Sequence, residues 1–217
     1  MAKVIAITSG KGGVGKTTTT VNLAWSLYND WGYKSIIIDM DSDKPDAISW
    51  QEQGVVEGII DFKVRTVLCK NDDNSQALVD SFKEDFDYII IDTPPNFQSD
   101  AFKATLMADL VIIPTTPSLL DQKALIRAQE IPKMSGKPYK LLASRIQKRH
   151  NLSNQLIEDI SQLNGFKTSI TLKSSVMESP YFGIWVGEHA KDSDSHKEYM
   201  GLAKEVTTFF MEQSNEK

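Results

Sequence analysis

The residues whose types and spacing most directly suggest chemistry are Gly10 to Thr18, reading Gly-Lys-Gly-Gly-Val-Gly-Lys-Thr-Thr. Gly10, followed after four residues by Gly15-Lys16-Thr17, completes the pattern G-x-x-x-x-G-K-[ST]. Gly12 and Gly13, ahead of Val14, let backbone N–H groups turn inward with no Cβ in the way of a phosphate. Lys16 is placed to reach β- and γ-phosphates. The Thr17 hydroxyl would ligate Mg²⁺, and a helix opening through Thr17 and Thr18 would add the positive end of its dipole. Lys11 is a second lysine in a loop that needs one.

Such a loop must leave a buried strand and enter a helix. Lys3 to Thr8 is a short apolar, β-branched run, and Thr17 to Trp31 carries Val21, Ala24, Tyr28 and Trp31 at helical spacing. Two further runs, Ser35 to Asp39 and Asp87 to Asp92, are continuous apolar stretches that end in a carboxylate, as strands buried on both faces do. Asp92, delivered by the second, would hold Mg²⁺ through a water so that the ion bridges β- and γ-phosphates. If the backbone stays extended beyond the first, Asp39 and Asp41 point to one side, beside the phosphate loop. The Asp39, Asp41, Asp43 spacing is not a Ca²⁺ loop, since Lys44 and Trp50 stand where glycine and glutamate are required. A solvated acidic turn is the alternative.

The loop from Lys11 to Thr17 resembles that of the ParA/MinD-type ATPases, which carry a deviant Walker A motif, K-G-G-x-G-K-[ST]. The resemblance implies an ATPase using ATP and Mg²⁺, in which Lys11 crosses a homodimer interface to the partner's nucleotide. It makes Asp41 the residue that orients or activates the attacking water and gives Asp39 a Mg²⁺-bound water; Ser42 and Asp43 depart from the family's Pro-Gln pair here. Thr93-Pro94-Pro95 matches a switch that senses the γ-phosphate. Thr115 to Ser118 with Asp121 is similar to the family's dimer-face loop, or else a turn capped by Ser118. Arg145, after a strand at Tyr139 to Ala143, falls where the family lines the adenine base.

Along the rest of the chain, helices are expected at Pro45–Gln53, Ala77–Phe82, from near Leu119 to Ile131 with Pro132 as the stop, Asn151–Asn164 and Lys197–Gln213. Strands are expected at Asp61–Leu68, Asp109–Pro114 and Phe166–Leu172. Asn71–Asn74 reads as a turn and Ser175–Ala190 as loop. His150, His189 and His196 lack metal-ligand spacing and read as surface residues. Alternating strands and helices predict one α/β domain over residues 1–217: a doubly wound, mainly parallel sheet with helices on both faces.

The 217 residues carry a net charge of −5, so contact with nucleic acid or an anionic membrane must be local. Between Ile131 and Ile157 six residues are basic and none acidic, with Lys167 and Lys173 following. Lys140, Lys148, Arg149, Lys167 and Lys173 are the candidate contacts to DNA phosphates, without base reading, and a solvated face is the alternative. The single cysteine, Cys69, speaks against a disulfide framework or a thiolate cluster and reads as a packed residue. The N-terminus runs straight into the first strand, and no apolar run approaches a membrane span. The resulting expectation is a cytoplasmic partition ATPase, nucleoid-associated when ATP-bound. Its hydrolysis would be slow until stimulated by a centromere-binding adaptor protein, and no membrane would be involved. A membrane-positioning ATPase is the alternative; a metal-cluster carrier and a non-hydrolysing nucleotide module stand behind it.

Overall fold

In the computed structural model, residues 1–70, 74–95, 99–118 and 129–215 are described. The expected turn at Asn71–Asn74 and the helix from Leu119, with its Ser118 cap and Asp121, lie largely or wholly outside them. Six strands, β1 (Lys3–Ile7), β2 (Ser35–Asp39), β3 (Arg65–Leu68), β4 (Tyr88–Asp92), β5 (Leu110–Thr115) and β6 (Tyr139–Ala143), form one sheet in the order β3-β2-β4-β1-β5-β6. Every pairing is parallel. Helices α1 (Lys16–Asn29), α2 (Asp46–Val56) and α8 (Asp194–Asn215) have buried residues in the core that holds Ile5, Ile7, Ile37 and Ile90. Helices α3 (Ser75–Phe82), α4 (Ser99–Met107) and α5 (Asn151–Gln162) contribute to the core around Val4, Ala6, Ile36, Ile38, Ile89 and Ile91. Alternate residues of the four inner strands, β2, β4, β1 and β5, therefore enter opposite cores, which is why those strands read as apolar runs.

Several expectations are corrected. Phe166–Leu172 is not a strand: beside β6 it forms isolated bridges, Leu141 to Gly165 and Ile146 to Thr171, with Phe166 N and Ile170 N donating to the Leu141 and Ala143 carbonyls. Three other amides of the segment turn to α8, where the Glu205 carboxylate accepts from Lys167 N and Thr168 N at 2.8 and 2.7 Å and the Glu198 carboxylate accepts from Thr171 N at 2.9 Å. Pro132 does not stop its helix, for residues 129–134 are helical. The end comes at Gly136, at φ 64°, where Lys137 N donates back to the Pro132 carbonyl at 2.8 Å. The Ser175–Ala190 stretch is not loop but α6 (Ser174–Glu178), a 3₁₀ turn (Ser179–Phe182) and α7 (Val186–His189). On α5, Leu156 and Ile160 are buried as expected, whereas Leu152 and Leu163 are exposed. Cys69 is buried. His196 is also buried, against expectation, with Nδ1 accepting from Asp192 N and Nε2 3.1 Å from Asp30 Oδ1. No helix of the described residues is long and apolar enough to cross a membrane.

Candidate nucleotide site

The site grows out of the carboxyl ends of β1, β2 and β4. Beyond β1 the Ser9 hydroxyl accepts from Lys11 N at 3.1 Å and tightens the turn. Gly13 and Gly15 then take φ of 74° and 96°, values that an L-residue with a Cβ adopts only under strain. Gly15 caps α1 without a side chain, and no acidic residue sits in the first turn. The N–H groups and dipole at this helix end thus meet no competing carboxylate from their own turn. A cleft of about 390 Å³ opens here, lined by Gly12, Gly13, Gly15, Lys16, Thr17 and Thr18 on one side and by Asp41, Asp43, Lys44, Asp46, Thr93, Pro94, Pro95 and Arg145 on the others.

Lys16 is buried to 7% exposure. Burial lowers its pKa, and the charges of Asp92, Asp41 and Asp46 oppose that shift. Behind it, Asp92 Oδ2 accepts from Thr17 Oγ1 at 2.6 Å and Asp92 Oδ1 from Thr20 Oγ1 at 3.2 Å. The Asp92 carboxyl is pushed up to about 7, first by burial and then by the charge of Asp39, its register partner on β2. A hydroxyl that lines the cleft, backed by a carboxylate, is an all-oxygen donor pair suited to Mg²⁺. Thr93 Oγ1 donates to the Ile7 carbonyl at 2.8 Å and ties the end of β4 to the root of the loop.

Asp39 and Asp41 divide. Asp39, fully buried, does not line the cleft: Oδ1 accepts from Asp41 N at 3.0 Å, and Oδ2 from Ala47 N and Ile48 N at 3.0 and 3.2 Å. Asp39 caps α2 from seven residues before its start and anchors the backbone of Asp41. Asp41 does line the cleft, with Oδ1 accepting from Lys44 N at 3.1 Å. Arg145, expected at a nucleobase, donates from Nη1 to the Gly13 carbonyl at 2.7 Å.

Lys11 lines a different, adjoining cavity of about 400 Å³ together with Thr116, Pro117, Gln147 and His150. The two loop lysines therefore serve separate spaces. Of the candidate DNA contacts, Lys148, Arg149, Lys167 and Lys173 are exposed and Lys140 is half-buried on β6. Lys148 and Lys173 both act on the Glu198 carboxyl, and Lys173 Nζ lies 3.5 Å from Asp194. Thr20 was not anticipated as a site residue; three residues after Thr17 on the same helix face, it is one that spacing could have suggested.

A family model described as the CobQ/CobB/MinD/ParA nucleotide binding domain matches residues 5–186. The chain belongs to the ParA/MinD family of P-loop ATPases. Over 199 residues it is 33% identical to the septum site-determining protein MinD of a Synechocystis species, an alignment covering 75% of this chain and 73% of the relative. Among solved structures, the septum site-determining protein MinD of Pyrococcus horikoshii, complexed with Mg-ADP, superposes with a TM-score of 0.77 at 22% identity, covering 95% of this chain and 96% of that one. A plasmid partition protein from Borrelia burgdorferi gives 0.70 at 21%, covering 95% and 98%. At that identity the two structures speak to the fold, and the ParA/MinD frame of six parallel strands between helical layers is the one seen here.

Proposed function

We propose that this ParA/MinD-family ATPase is a partition switch: ATP with Mg²⁺ closes two copies face to face, the dimer holds DNA without reading its sequence, and hydrolysis releases it. The observation that carries this reading is the separation of the two lysines. Lys16 lines the nucleotide cleft of its own subunit, whereas Lys11 faces the adjoining cavity, an arrangement suited to supplying its charge to a second copy. A cation brought in trans to the transferred phosphoryl group is worth roughly 10³ to 10⁵ in rate in related phosphoryl-transfer systems.

The residues divide the work. The loop amides from Gly10 to Thr18 hold the phosphates, and Lys16 neutralises charge on the β- and γ-oxygens. Thr17, backed by Asp92, would hold Mg²⁺, which would supply positive charge against the phosphate oxygens. Asp41 orients the water that attacks the γ-phosphorus in line with the departing ADP oxygen, from a backbone anchored to Asp39. Thr93 to Pro95, on the cleft wall and continuous with β4, relays the loss of the γ-phosphate. DNA phosphates are met by the exposed Lys148, Arg149, Lys167 and Lys173, with Lys140 at the margin. A centromere-binding adaptor supplies the sequence choice and stimulates turnover.

The test uses Asp41→Ala, which is to bind ATP and dimerise without turning over. Sizing with ATP and Mg²⁺ is expected to show a dimer, and gel shifts on random-sequence DNA are expected to require ATP and weaken steeply with salt. A protein that stays a single subunit at saturating ATP overturns the reading. The identity to a MinD favours a second reading, a positioning ATPase at a membrane surface. ATP-dependent sedimentation with anionic lipid vesicles, in place of DNA binding, would establish it.

A further inference from the structure

Arg145 stands apart from the rest of the loop that follows β6. It is one of two non-glycine residues with positive φ among the described residues, at 55°. A side chain with a Cβ is held in that region only when its surroundings demand it. Both neighbours supply the demand: Ser144 N donates to the Thr115 carbonyl at 2.8 Å and Ile146 N to the Ile170 carbonyl at 3.0 Å, and both residues are buried. The backbone is thus pinned on either side of Arg145, which is itself exposed and lines the nucleotide cleft and the Lys11 cavity alike.

What the pinned residue holds is the Gly13 carbonyl, 2.7 Å from Nη1. In a trans peptide the N–H lies on the edge opposite the C=O, so fixing this carbonyl fixes the direction of the Val14 N–H. Gly13 cannot do that alone, because a glycine at φ 74° tolerates many values of ψ and the peptide after it is free to flip. The same segment also leaves little room at the loop, since a Cβ built on Gly15 would lie 3.0 Å from Ser144 Oγ. We propose that Arg145 is a positioning residue for the phosphate loop, holding the Gly13–Val14 peptide in one orientation before nucleotide arrives. This rests on the reading of the cleft as a phosphate site and assigns Arg145 to the loop, not to the base.

The experiment compares wild type, Arg145→Ala and Arg145→Lys in two measurements. The first, without nucleotide, follows the backbone amide resonances of Gly12 to Gly15. Loss of the guanidinium is expected to broaden or shift those of Gly13 and Val14, and Lys to restore them in part. Unchanged resonances in Arg145→Ala overturn the proposal. The second titrates inorganic tripolyphosphate and ADP separately. Arg145→Ala is expected to weaken both by the same factor, about tenfold, the worth of one charge-assisted hydrogen bond. A loss confined to ADP would make Arg145 a base contact and overturn the proposal. If wild type does not bind tripolyphosphate at all, the phosphate-site reading fails instead.

Discussion

Asp39→Ala and Asp39→Asn test whether the buried aspartate at the end of β2 is the cap of α2. Asp39 is fully buried and accepts three backbone N–H groups, from Asp41, Ala47 and Ile48. Alanine removes the acceptor and leaves those donors facing a small void, and a buried unsatisfied donor costs about 1–3 kcal/mol. Against this stands the burial of the carboxylate, which raises its pKa to about 6 from an ordinary 3.8. That difference weighs roughly 3 kcal/mol against the ionised form at neutral pH. Three donors lose their acceptor, and even with that penalty relieved Asp39→Ala is expected to be destabilising by on the order of 3 kcal/mol. Asn keeps one acceptor oxygen and sheds the same penalty, so its cost is expected to be about 1–2 kcal/mol, although its NH₂ faces a donor. Urea unfolding at neutral pH, with m-values compared, measures both. An alanine variant within about 0.5 kcal/mol of wild type, or an asparagine variant less stable than alanine, would refute the assignment of Asp39 as the cap of α2.

Lys16→Ala is expected to abolish nucleotide binding by equilibrium titration while leaving the circular dichroism spectrum unchanged, since the group faces the cleft and not a core. Gly15→Ala forces a Cβ into φ 96° and to within 3.0 Å of Ser144 Oγ; it is expected to cost about 1–3 kcal/mol in denaturant and to weaken ADP binding. Glu198 carries a pKa raised by burial, with its hydrogen bonds to Thr171 opposing. A carboxyl raised on folding takes up a proton as the chain folds, so its contribution is present below the unfolded value and fades as pH rises through the folded one. Glu198→Gln is therefore expected to flatten the fall in melting temperature as pH rises above the ordinary glutamate range, and Glu198→Ala to lose about 1–3 kcal/mol by leaving Thr171 N without its acceptor.

Much of the sheet was legible because its chemistry is local. Strands buried on both faces must be apolar, so Ser35–Asp39 matches its sequence limits and the runs of β1, β4 and β5 fall within a residue, whereas the edge strand β3 starts at Arg65, four residues after its expected beginning. The phosphate loop was legible because glycine and lysine at that spacing have few other uses. What escaped depends on distant partners. Phe166–Leu172 has the residues of a strand, but Glu198 and Glu205 of the last helix take three of its amides and break the ladder. The cap on α2 comes from Asp39 and not from Pro45 or Asp46 beside it, so short-range capping patterns could not find it. His196 looks like surface until Asp30, 166 residues earlier, is brought against it. Arg145 resembles any basic loop residue; its role lies in a positive φ and a carbonyl 132 positions away, neither of which residue type encodes.

The strand order has a consequence for biosynthesis. β1 and β2 emerge early from the ribosome yet never touch; the lane between them belongs to β4, which ends at Asp92. Until that segment has been translated, β1 has no neighbour and β2 has only β3 on one side, so a nascent chain carries apolar ribbons with bare edges, a state prone to sticking to other chains. The same late arrival brings in the carboxylate behind Thr17, so the nucleotide grip and the centre of the sheet are completed in one event.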